Sequence, residues 1–225
     1  MSQSKNDFTE PESGFSAWLD KDWDSPLRTS IERIATALRQ FSHNLHDGIP
    51  TVEQSDSLAE MAENLLEAST HLEVRDHIPS MFEELREDRF IFFDHSPLSG
   101  SLSPVSAPLN LAVEGEKVVG RVNFGASFEG PPGHVHGGWV ASAFDEVMGM
   151  VQAHFSEPGM TGKLVVRYQK PTPLHTDLTF VAWVESVKGR KIVTRAKAFN
   201  GDEQIAEAEG LFISVDFEAL RSSLK

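Results

Sequence analysis

The chain has 225 residues and a formal net charge of −14; 40% of its residues are hydrophobic and none is cysteine. The lack of cysteine excludes disulfides, thiolate metal ligands and a cysteine nucleophile, and the acidic balance argues against general nucleic-acid binding, which needs a basic face. No apolar run approaches 18 residues and the opening M-S-Q-S-K-N-D lacks a signal peptide's apolar core, so a soluble, cytoplasmic protein without a membrane span is expected.

The charge is unevenly placed. Residues 1–95 hold 20 acids against eight Lys and Arg, whereas residues 96–225 hold 14 against 12. This split predicts an acidic helical extension over 1–95 and a separate domain over 96–220.

Residues 1–24 are polar apart from Trp18 and Trp23, which are expected to dock the segment. Ser25-Pro26 is a helix start: a capping hydroxyl followed by proline at the first helical position. Leu27, Ile31, Ile34, Leu38, Phe41 and Leu45 then recur at spacings of four and three until Gly48. A second amphipathic helix is predicted over 55–72, with Leu58, Met61, Ala62, Leu65 and Leu66 on one face, and a short one over 80–87. Such apolar stripes need a surface to cover them, either the second domain or a second subunit. The alternative is a partner-binding or substrate-gating appendage.

Residues 94–108 carry Pro97, Pro104 and Pro108 among serines and predict an extended connector. Strand-like runs follow at 109–113 and 117–124. The chain then turns at Gly130-Pro131-Pro132-Gly133 and reaches His134, Val135, His136, Gly137 and Gly138. From Trp139 the pattern is helical, with Val140, Phe144, Val147, Met148 and Val151 at spacings of three and four. Strands are predicted at 163–170, 178–188, 190–200 and 204–215, with Asn200-Gly201 as a tight turn. The order β-β-α-β-β-β-β, with a single apolar helix, fits an α+β domain in which a curved antiparallel sheet wraps one helix.

The glycine pair at the start of the apolar helix leaves unpaired, partly positive N–H groups uncovered, so an oxygen can approach closely. Asp145 and Glu146 place carboxylates two turns further along. A helical wheel does not separate the two acids, since both flank the apolar stripe.

In this arrangement the chain resembles the hot-dog-fold acyl-CoA thioesterases of the PaaI-like branch. His136-Gly137-Gly138, an acid nine residues on at Asp145, and Thr161 sixteen residues later carry the resemblance. The stretches G-K-L-V-V-R-Y-Q-K-P-T-P-L (162–174), G-R-K (189–191) and A-E-A-E-G-L-F (206–212) support it. It covers about 96–217 and leaves out the N-terminal helices.

The resemblance implies thioester hydrolysis. Gly137 or Gly138 N–H would hold the developing oxyanion, and Asp145 would act as general base or nucleophile. Thr161 would orient the water or the carboxylate, and His136 would shape the oxyanion loop. The fold implies a homodimer or dimer of dimers with sites between subunits, so that Asp145 and Thr161 could come from different chains. No cofactor is implied, coenzyme A being part of the substrate, and no metal.

Among the basic residues after the helix, Arg190 and Lys191 beside Gly189 are the candidates to reach the nucleotide, with Arg167 next. Gly130 departs from the family, in which many relatives carry asparagine. Each site residue also has a structural alternative: His136 as a loop histidine, Asp145 as a solvated acid, Thr161 as a strand-start hydroxyl. Glu146 could share the role of Asp145. Two other functions fit the same fold, a hydratase or dehydratase and a non-catalytic acyl-CoA-binding module; the hydratase-type D-x-N-P-x-H stretch is absent.

Overall fold

The computed structural model describes residues 26–73 and 94–216. The expected cap at Ser25, the docking of Trp18 and Trp23 and the short helix at 80–87 lie outside the described residues. In order, the elements are α1 (Pro26–Asp47), α2 (Val52–Ser69), β1 (Asn110–Glu114), β2 (Lys117–Asn123), α3 (Gly137–Phe155), β3 (Gly159–Tyr168), β4 (Asp177–Lys188), β5 (Lys191–Asn200) and β6 (Glu203–Ser214).

The six strands form one antiparallel sheet in the order β1-β2-β4-β5-β6-β3. Register shifts at Thr161/Lys163, Val184/Ser186 and Ala198/Phe199 bend the strands, as bulges do, and the sheet wraps α3. The helix buries Val140, Phe144, Val147, Met148 and Val151. Each such side chain contributes roughly 1.5–3 kcal/mol when taken from water. Opposite them lie Leu178, Phe180, Ile192, Ala196 and Phe212; Phe144 meets Phe180 edge-on with ring centroids 5.0 Å apart. The predicted element order and fold are those observed.

Three expectations need adjusting. β3 begins at Gly159, four residues before the apolar run, because its first residues pair with the end of β6 across the bulge. The connector is not extended: it folds as successive turns with Leu102, Ser103, Ser106 and Ala107 buried, and Ser106 Oγ donates to the Gly100 carbonyl at 2.6 Å. α2 starts at Val52 rather than 55, because Thr51 and Gln54 form a reciprocal capping box that satisfies two orphan backbone donors.

α1 lies along the hot-dog domain, but not on its whole apolar stripe. Ile31 and Leu38 are half-buried and Ala35 is buried, whereas Leu27, Ile34 and Leu45 stay exposed. Much of its seat is polar. Arg28 donates to both Asp94 carboxylate oxygens at 3.3 and 3.1 Å. Arg39 donates to the Ser101 and Ser103 carbonyls at 3.1 and 2.6 Å. α2 buries none of its residues, and of its stripe only Leu58 is even half-buried.

Candidate active site

The site is built where α3 begins and along its flank toward β3. Gly133, at φ 74°, adopts the left-handed conformation glycine tolerates best and closes the turn that returns the chain to His136. His136 N–H donates to the Phe128 carbonyl at 2.9 Å, which fixes the entry into the helix. His136 is itself the N-cap: its Nδ1 accepts from Gly138 N–H at 3.0 Å. An imidazole thus does what a serine or aspartate side chain usually does, and its proton sits on Nε2.

This separates the two glycines. Gly138 N–H is engaged by His136, and among the described residues no acceptor engages Gly137 N–H. The Gly137 carbonyl accepts from Tyr168 Oη at 2.7 Å, so the end of β3 anchors the first peptide unit of the helix. Burial pushes the Tyr168 phenol above its ordinary value of 10. Sequence reasoning treated Tyr168 only as a strand residue; that it is the chain's single tyrosine was the available signal.

The two acids, equivalent on a helical wheel, face different partners. Asp145 Oδ1 accepts from Thr161 Oγ1 at 2.9 Å. Glu146 Oε1 accepts from Ser96 Oγ at 2.9 Å and from Ser99 Oγ. Glu146 therefore ties α3 to the connector, while Asp145 Oδ2 has no hydrogen-bond partner among the described residues. Asp145 and Thr161 meet within one chain, which corrects the expectation that they could come from two.

Gly130, the departure from the family pattern, has a steric cause. A Cβ there would lie 2.7 Å from His136 Cα and 3.0 Å from its Cβ. The loop passes too close to His136 for any side chain. His134 Nδ1 lies 2.9 Å from the Pro132 carbonyl, within its own turn.

The basic candidates are differently placed. Arg190 donates twice to the Ser214 carbonyl, at 3.1 and 3.0 Å. Arg167 is exposed and pairs with Glu207 at 3.4 Å. Lys191 is exposed at the start of β5 and has no anionic partner among the described residues. No group of three or more His, Asp and Glu able to hold a metal occurs among the described residues.

The flank of the site missed from the sequence is its support by α1. His43 Nδ1 accepts from Ser127 N–H at 3.1 Å and lies 2.8 Å from its Oγ. Its ring meets Phe128 edge-on at 5.6 Å, and Phe128 in turn meets Trp139 at 4.8 Å. Desolvation first, then His175, lowers the His43 imidazole below its ordinary 6.5. His46 Nε2 lies 2.8 Å from Glu129 Oε2, and Glu129 Oε1 accepts from Gly133 N–H at 2.6 Å. The bond to His46, then that to Gly133, holds the Glu129 carboxyl below its ordinary range.

A six-stranded antiparallel sheet wrapped round one long helix, with a glycine-flanked helix start and a paired carboxylate on its flank, defines a hot-dog domain. Residues 132–207 match the model of the thioesterase superfamily. A crystal structure of a thioesterase superfamily protein superposes with a TM-score of 0.69 and 28% identity, over 82% of this chain and 90% of its own. That coverage exceeds what residues 94–225 could supply, so the likeness reaches into the N-terminal helices. Acyl-coenzyme A thioesterase THEM4 of Xenopus laevis is 34% identical over 93 residues, 40% of this chain and 42% of the relative. The Rattus norvegicus protein of the same name is 33% identical over 104 residues, 45% and 44% respectively. The chain thus spans less than half the length of these curated relatives. Its sheet and central helix have the hot-dog fold. Among the described residues no helix is long and apolar enough to cross a membrane.

Proposed function

We propose that the protein hydrolyses acyl-CoA thioesters to the free acid and coenzyme A. The observation that carries this reading is the Asp145 carboxylate, held by Thr161 at 2.9 Å on an otherwise apolar helix of a thioesterase-superfamily domain. Thr161 occupies Oδ1 and leaves Oδ2 to take a proton from water. That water attacks the thioester carbon, the carbonyl oxygen becomes an oxyanion, and collapse breaks the C–S bond; the departing CoA thiolate takes up the proton that Asp145 holds and leaves as the thiol. Asp145 can alternatively attack directly, giving an anhydride that water then opens. Gly137 N–H is the first candidate for the oxyanion, since Gly138 N–H already serves His136. Loss of one such donor typically costs about 2.7–4 kcal/mol of barrier.

Geometry supports a site shared by two copies. Gly137 and Asp145 are eight residues apart on one helix, hence ~12 Å along its axis at the usual rise per residue. A single thioester carbon cannot span that distance, so on this reading the oxyanion donor and the carboxylate would come from different protomers. β3 is an edge strand with Met160, Val165 and Tyr168 49%, 45% and 50% exposed. An exposed apolar edge is a template for pairing, and a second copy along β3 would bring the two halves together in a homodimer. Lys191 leads among the residues for the CoA phosphates, with Arg190 and Arg167 requiring release from their present partners.

The test is thiol release from short, medium, long and aromatic acyl-CoAs. Release that collapses in Asp145→Asn supports the reading. Tight acyl-CoA binding without release would move the assignment to a binding module.

A further inference from the structure

We infer that α1 is a positioning element for the candidate oxyanion loop, with His46 as the positioning residue that acts through Glu129; this rests on the thioesterase reading above. The loop from Phe128 to His136 decides where the Gly137 N–H points, because His136 caps α3 and the residues before it set its approach. Within that loop Glu129 is gripped from two sides. Oε1 accepts from Gly133 N–H at 2.6 Å, at the left-handed turn. Oε2 meets His46 Nε2 at 2.8 Å. The loop closes on itself through Gly130 N–H to the His134 carbonyl at 2.9 Å and His136 N–H to the Phe128 carbonyl at 2.9 Å.

α1 holds the same loop a second time, one turn earlier. His43 binds Ser127 and abuts Phe128, whose ring packs against Trp139 in the first turn of α3. Two histidines three residues apart on one helix face therefore brace both the entry and the turn of the loop. Elsewhere along α1, Arg28 on Asp94 and Arg39 on the Ser101 and Ser103 carbonyls fasten the helix to the connector.

The His46–Glu129 pair is partly exposed, at 41% and 29%, and such pairs add little to global stability. Its effect is local: it fixes the Glu129 rotamer, hence the Gly133 turn, hence the approach to His136. Misplacing a preorganised donor by even 1 Å costs rate without costing binding, so kcat should fall while KM stays.

The experiment uses the full chain and steady-state thiol release. His46→Ala and Glu129→Ala are expected to lower kcat about tenfold with KM within twofold. The double variant should be no slower than the worse single one, as for residues acting in series. His46→Gln, which keeps an N–H donor near the Nε2 position, is expected to restore most of kcat. Native kcat in His46→Ala, or no recovery with His46→Gln, would overturn the inference. If the native chain releases no thiol at all, the thioesterase reading fails and amide exchange over 129–138 decides the brace alone. Faster exchange in His46→Ala than in the native chain would retain it, and equal exchange would overturn it.

Discussion

Thr161 Oγ1 on β3 donates to Asp145 Oδ1 on α3, 2.9 Å away. The bond fixes which carboxylate oxygen faces outward. Thr161→Val removes the donor while keeping the shape, and kcat is expected to fall roughly tenfold, less than the ~100-fold that losing the acid or base itself costs at least. Thr161→Ser should keep most of it. Equal kcat in the valine variant and the native protein would show that Thr161 is only a strand residue.

The neighbouring acids should respond oppositely. Asp145→Asn is expected to lower kcat at least about 100-fold, the lower bound for losing a general base, with little change in Tm. Glu146→Gln should keep kcat and lower Tm by a few degrees, since Ser96 and Ser99 would lose a charged acceptor. Kinetics and thermal melts on the two variants check this, and a reversed pattern would exchange their roles.

Gly130→Ala places a methyl group against the His136 backbone. The expected result is a displaced N-cap, a kcat lowered more than tenfold and a stability loss of about 1–3 kcal/mol, as for other overpacked sites. Urea titration and steady-state kinetics on the same preparation measure both effects.

Tyr168 holds the Gly137 carbonyl only as the neutral phenol. Its folded value is raised above 10, so its contribution is complete below pH 10 and is lost as pH rises through the folded value. Tyr168→Phe should remove this alkaline dependence and lower kcat several-fold at neutral pH. A Phe variant with an unchanged alkaline stability profile would contradict the account.

The docking of α1 should weaken in acid. His43 accepts from Ser127 N–H as a neutral imidazole, and its value is lowered in the docked state. The contribution is therefore complete above about pH 6.5 and declines as pH falls below it, levelling once the docked imidazole also protonates. Faster amide exchange in α1 between pH 6.5 and 5 is expected, and His43→Gln should flatten that trend. Gly125→Ala offers a second check at neutral pH: its Cβ would lie 2.6–2.9 Å from the His43 ring and should loosen α1 by itself.

The relation between sequence and site is clearest in residues that look alike along the chain. Asp145 and Glu146 have the same chemistry and flank the same stripe, so periodicity could not rank them. The connector serines did, and they lie nearly fifty residues away. Gly137 and Gly138 were likewise interchangeable until the His136 ring took one N–H. In α1, the apolar stripe suggested the buried face, yet Leu27, Ile34 and Leu45 are exposed while Arg28, Arg39, His43 and His46 make the contacts. Polar side chains are read from sequence as solvated, because their acceptors are carbonyls and side chains remote in the chain.

By itself the sequence determined what is local and periodic. It set the element order, the apolar core helix behind a glycine-rich turn, the tight Asn200-Gly201 hairpin and an antiparallel sheet around one helix, because hydrophobic period and turn chemistry act over a few residues. Only the tertiary structure decided which carboxylate is free, which glycine N–H is unengaged, why position 130 tolerates no side chain, and that α1 grips the loop before α3. Those outcomes depend on hydrogen-bond partners and close approaches between segments distant in sequence, which no local pattern encodes.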